Sequence, residues 1–225
     1  MKNRFSSKKK NTGTTLVEII VTFALLGIFL AASAAIIGLI SNQYFHVKGE
    51  TYSKQVTDIL MEKVSSEIEG AKYLPSATGE EDANPDYPQF ADDYKSISIY
   101  DRTDTKVTLS ASDGELLLDY AGFTDNVNPS NSRNATTWKF DQGVYNGYTL
   151  EELYFVRGDQ LGSFMGNVTG ASDFGLTSGQ VSYGKDITVV FLKLNSAKYG
   201  DYYTYRVVKM YNVEDTASST TEPTG

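Results

Sequence analysis

Residues 16–40 form an apolar run broken by a single charge, Glu18, and this run constrains the chain more than any other feature. Residues 19–40 alone supply 22 positions without a formal charge. About 20 apolar residues are enough for a helix to cross a bilayer. A single membrane-spanning helix is therefore expected near the N-terminus. Ahead of it, residues 1–13 carry Lys2, Arg4, Lys8, Lys9 and Lys10 and no acid, a charge of +5. Residues 41–47, just beyond the run, are nearly uncharged. The positive-inside bias then predicts a cytoplasmic N-terminus and an outside location for the rest. Glu18 stands out because a carboxylate costs about 2.5–3.5 kcal/mol near the bilayer centre and less near its edge.

Three readings account for this N-terminus. In the first it is a signal peptide cut at Ala32-Ser33-Ala34, an A-x-A site that follows an apolar core. Glu18 lies inside that core, and Ile36, Ile37, Leu39 and Ile40 continue the apolar character past the site. In the second it is a plain signal anchor holding an outside domain that never polymerises. Glu18 then has a local reason, because Thr15-x-x-Glu18 fits a capping box that satisfies backbone N–H groups at a helix start.

The third reading takes in the whole string from Gly13 through Thr14, Thr15, Leu16, Val17 and Glu18 to Gly27. It resembles the N-terminus of type IV pilins and of the pseudopilins of type II secretion and DNA-uptake machines. The resemblance implies a leader of residues 1–13 that a prepilin peptidase removes by cutting after Gly13. It implies that Thr14 becomes the N-methylated mature N-terminus and that Glu18, the fifth mature residue, serves assembly. Its implied partners are the peptidase, other pilin or pseudopilin subunits, an inner-membrane assembly platform and membrane lipid. Glu18 would be neutralised by the freed amine of Thr14, on a neighbouring subunit or the same one, since a buried carboxylate is tolerable beside a cation. Thr14 stands where the family most often has Phe, and the apolar helix lacks proline, leaving Gly27 and Gly38 as its weak points. The small residues Ala24, Gly27, Ala31, Ala32, Ala34, Ala35 and Gly38 permit close helix approach in lipid.

Beyond the run, Tyr52, Val56, Ile59 or Leu60, Val64, Ile68 and Ala71 recur at spacings of three and four. That pattern predicts an amphipathic continuation of the helix over 42–75, with Lys54, Asp58, Glu62, Ser66 and Glu69 between the apolar positions. Pro75 is expected to end it and Gly49 to bend it near the membrane surface. Residues 76–93 read as an acidic, solvated loop. Its acids Glu80, Glu81, Asp82, Asp86, Asp92 and Asp93 are hard oxygen ligands for calcium, but without EF-hand spacing.

Alternating positions predict strands at Ile97 and Ile99, at Val107 and Leu109, and at Leu116, Leu118 and Tyr120, the last two joined by a Ser112-Asp113-Gly114 turn. Residues 122–148 are a polar middle region that includes Trp138 and Phe140. A strand is expected over 150–157, long loops over the seven-glycine stretch 158–184, and a closing hairpin of 186–194 with 202–213. A disordered tail, 214–225, is expected to follow. The fold class is α+β: a long N-terminal helix, its first half (14–41) transmembrane, packed on an antiparallel sheet over 76–213. This is pilin-like, and residues 59–71 with the closing hairpin through Asn212 look similar to the larger minor pilins of the PilW and pseudopilin-J type.

Charge and composition exclude several functions. The chain carries −8 overall, so the part after the leader carries −13. Phosphate contacts need clustered cations, so no direct nucleic-acid binding is expected of this acidic domain. There is no cysteine, which removes disulfides, thiolate metal sites and Cys nucleophiles. The lone His46 reads as an interfacial polar residue rather than a ligand. No phosphate loop and no nucleophile elbow occur. Adjacent acids such as Asp92-Asp93 and Glu151-Glu152 are ordinary surface features. The chain is expected to be no enzyme and to need neither cofactor nor metal. Asn134-Ala135-Thr136 and Asn167-Val168-Thr169 are sequons, a motif common by chance. Tyr199, Tyr202, Tyr203 and Tyr205 suit strand packing first and a recognition face second.

Overall fold

A computed structural model describes residues 15–72, 88–123, 130, 132–176 and 183–212. Gly13, Thr14, Pro75, residues 76–87 of the expected acidic loop and the expected tail 214–225 lie outside the described residues. The chain divides into two units, Met1–Lys48 and Gly49–Gly225. Helix α1, Leu16–Glu69, contributes to both.

No residue between 15 and 48 is buried. The apolar side chains of the helix stand open there, with Leu16 75% and Ile37 66% exposed. It is the one helix among the described residues long and apolar enough to cross a membrane.

In the second unit the same helix carries a buried stripe of Val56, Leu60, Met61, Val64 and Ile68. The i, i+4 row through Val56, Leu60, Val64 and Ile68 selects Leu60, and Ile59 stays 41% exposed. Lys54, Asp58, Glu62, Ser66 and Glu69 face solvent. Gly49 lies inside the continuous helix. The helix stops at Glu69, well before Pro75. The cause is a tertiary contact: the Lys72 N–H donates to the Tyr100 carbonyl at 2.9 Å. Lys72 also bridges to Asn212, so the chain is drawn into strand geometry there.

Where one sheet was expected, the second unit has two. The first runs in chain order through β1 (Gln89–Phe90), β2 (Ser96–Tyr100), β3 (Lys106–Ser112), β4 (Glu115–Tyr120) and β5 (Thr136–Lys139), all antiparallel. Ile97, Ile99, Val107, Leu109, Leu116 and Leu118 turn into the core, while Ser96, Ser98, Thr108, Ser110 and Asp119 take the other face. This is the period-two pattern of a sheet with one wet face. The β3–β4 turn has φ of 53° at Asp113 and 80° at Gly114. Both are left-handed, as a two-residue hairpin turn requires. The strand β5 was not legible: four half-polar residues in a polar stretch give almost no alternation signal.

The second sheet has the order β6 (Thr149–Arg157), β7 (Ile187–Asn195), β8 (Tyr202–Lys209). A bulge between Leu150 and Glu152 interrupts the β6–β7 register. It lets Leu150 and Leu153, an odd number of residues apart, both enter the main core. This sheet is apolar on both faces. Leu153, Phe155, Val190, Leu192, Leu194 and Val208 join helix α1 and the first sheet in the main core. Tyr154, Val156, Val189 and Phe191 form a second core with Leu161, Phe164, Ala171, Phe174 and Leu176. Those last five come from the crossover 158–186, which contains α2 (Leu161–Asn167) and was expected to be loops. Gly162 and Gly166 inside a seven-residue helix hide it from any periodicity reading.

Candidate functional site

The N-terminus of α1 is built as the Thr15-x-x-Glu18 spacing predicts. Glu18 Oε2 accepts from the Thr15 N–H at 2.9 Å and from its hydroxyl at 3.2 Å. The Glu18 N–H donates to Thr15 Oγ1 at 3.4 Å. One carboxylate oxygen thus takes both of these bonds and satisfies donors that a helix start leaves open. Farther along, the Thr22 hydroxyl donates to the Glu18 carbonyl at 2.7 Å and the Ser33 hydroxyl to the Phe29 carbonyl at 2.8 Å. Their hydroxyls are therefore satisfied by the helix itself, which lets them sit in an apolar run.

The small residues Ala24, Gly27, Ala31, Ala34 and Gly38 follow one another at spacings of three and four on this helix and so share a face. Nothing lies within 4 Å of where a Cβ on Gly27 or Gly38 would sit. At the far end of the unit, Tyr44 and Phe45 meet edge to face with centroids 5.8 Å apart, and the Lys48 ammonium lies 5.8 Å from the Tyr44 ring centre. His46 is exposed beside them. Of the three residues the sequence singles out, Glu18 is at the helix start, and Gly13 and Thr14 fall outside the described residues.

In the second unit the polar side chains pair with one another rather than converge. Glu151, the unpaired residue of the bulge, binds Lys193 at 2.8 Å, while Glu152 stands opposite Lys193 in the β6–β7 register. Lys193 also lies 3.5 Å from Asp201 and 5.3 Å from the Tyr203 ring centre. The hydrogen bond to Glu151 holds the Lys193 ammonium above its ordinary range. The bond from Asn195, at 2.5 Å, lowers the Asp201 carboxyl.

A concavity of about 590 Å³ at the C-terminal end of α1 is lined by Glu69, Lys72, Arg102, Tyr211 and Asn212, charges of both signs. Arg102 Nε sits 3.2 Å from where a Gly70 Cβ would be. Its cation is thus placed over the carbonyl end of the helix, where positive charge is favoured. Among the described residues no group of three or more His, Asp or Glu side chains is placed to hold a metal.

The late tyrosines are distributed to different neighbours. Tyr199 and Tyr202 pack on the main core, and Tyr203 packs on the second. Tyr205 lies against Phe191 and remains 39% exposed. Asn134 and Asn167 of the two sequons are exposed. No family model matches this chain, and comparison with curated proteins finds none that matches it.

Proposed function

We propose that this chain is a prepilin-like subunit, a minor pilin or pseudopilin, of a membrane-anchored filament of the type IV pilus or type II secretion and DNA-uptake kind. The observation that carries the reading is the pairing of Glu18 with an otherwise uncovered apolar helix. Between residues 15 and 48 the helix buries none of its apolar side chains, and it carries at its start a carboxylate with only one oxygen engaged in the capping box. A helix that is apolar all round needs either lipid or other helices. A filament subunit uses both in turn, first the membrane and then the filament core.

In this reading a prepilin peptidase removes residues 1–13 on the cytoplasmic side, and Thr14 supplies the amine that meets Glu18 across subunits. The globular second unit stands outside the membrane and reaches the cell surface with the filament. Other pilin-like subunits and a membrane assembly platform are its partners. The chain has a structural role and catalyses nothing.

The capping box itself favours a second reading, a signal-anchored surface binding protein that does not polymerise, because it gives Glu18 a purely local use. The N-terminus of the membrane-extracted protein separates the two. Intact mass and terminal peptide sequencing are expected to find a chain starting at Thr14 and heavier by one methyl group. A chain starting at Met1 would replace the filament reading with the anchor, and one starting at Ala35 would make the chain a released signal-peptide substrate.

A further inference from the structure

Two tyrosines from distant parts of the sequence meet the helix backbone at Gly49. The Tyr148 hydroxyl donates to the Gly49 carbonyl at 3.0 Å, in a buried position. The Tyr199 side chain presses on the glycine itself: a Cβ there would come within 2.8–3.0 Å of three Tyr199 side-chain atoms, Cβ, Cγ and Cδ1. Tyr148 and Tyr199 stack with centroids 5.9 Å apart, and Tyr52 meets Tyr199 edge-on at 6.1 Å. Tyr148 comes from the segment before β6 and Tyr199 from the β7–β8 connection. Gly49 is also the first buried residue of α1, with Ser53, Val56 and Thr57 following it.

We propose that Tyr148 and Tyr199 form an aromatic clamp on the helix backbone at Gly49, and that this clamp sets where tertiary protection of α1 begins. The physical reason is close approach. A ring can press on a helix backbone only where no side chain intervenes, and glycine alone permits it. The hydroxyl bond adds a second hold on a carbonyl that the helix already uses. Residues after the clamp then open only together with the fold, whereas those before it open by helix fraying alone. The clamp is independent of whether the chain enters a filament.

The test is amide hydrogen exchange on the full chain in detergent micelles, read on peptides covering residues 50–60, 62–69 and β7. In the parent protein the 50–60 peptide is expected to be protected nearly as well as 62–69. Gly49→Ala separates the clamp from plain helix propensity by sign. Alanine is the better helix former, so a helix acting alone would exchange more slowly in this variant. The clamp, displaced by the new methyl group, predicts at least tenfold faster exchange at 50–60 with β7 unchanged. Slower exchange in Gly49→Ala overturns the proposal, and so does an unchanged 50–60 peptide in Tyr199→Ala. Should Tyr199→Ala loosen β7 as well, Tyr148→Phe decides, since it keeps the ring and removes only the hydroxyl. Faster exchange confined to 50–60 supports the clamp, and none overturns it.

Discussion

Glu18 has a local use at the helix start, and the proposed function gives it a second. Its bonds to Thr15 close the helix start and lower the cost of a carboxylate at the edge of an apolar run. They also turn the carboxylate back toward the helix N-terminus, where the proposed partner amine would arrive. Replacing it by alanine removes the acceptor and leaves the apolar run intact. Glu18→Ala is expected to be cleaved and inserted like the parent but to be lost from sheared filaments, as judged by immunoblot of the filament and membrane fractions. Normal incorporation of this variant would sink the assembly role. The spacing of Thr15 and Glu18 was legible in the sequence because a capping box is a local device, with both partners within four residues of each other.

At the scale of elements, the crossover between β6 and β7 deserves the most weight in stability. Neighbouring antiparallel strands need only a short turn, yet here residues 158–186 intervene. They cover the far face of the second sheet with Leu161, Phe164 and Phe174. Phe164 is fully buried and stacks on Phe191 with centroids 4.7 Å apart. Phe164→Ala is expected to destabilise the second unit by about 3–5 kcal/mol, the usual cost of deleting a buried phenyl ring. A urea titration followed by tryptophan fluorescence measures this, and a loss below about 1 kcal/mol would mean that the crossover packs loosely. The strands themselves were readable from alternation and β-branched runs. The crossover helix was not, because its anchors gain meaning only against a sheet face formed by other segments.

Across the whole molecule, buried phenols tie stability to high pH. Tyr145, Tyr148 and Tyr154 all have their ionisation pushed up from the ordinary value of 10.0, in each case chiefly by burial. The unfolded chain therefore loses these protons first as pH rises. Above about pH 10 it binds fewer protons than the folded chain, so stability falls with increasing pH, while below that range this contribution is fully present. Urea midpoints are expected to be flat up to about pH 9 and to drop steadily by about pH 11. Tyr154→Phe should lose less over the same interval than the parent, and an equal loss would assign the alkaline sensitivity to other groups.

The sequence by itself determined the features whose causes are local or periodic. These are the apolar helix and its single acid, the amphipathic stripe that follows, the Asp113-Gly114 turn and most of the strands. Each depends on residues a few positions apart, so its chemistry can be read along the chain. Tertiary structure alone decided the division into two sheets, the strand β5, the helix end at Glu69 and the second core. It also gave Gly49 its use, which the sequence suggested only as a bend. Each of these rests on partners far away in the chain: Lys72 on Tyr100, Phe164 on Phe191, Gly49 on Tyr199. No periodicity encodes such pairs, because they form only when separate elements compete for the same buried surface.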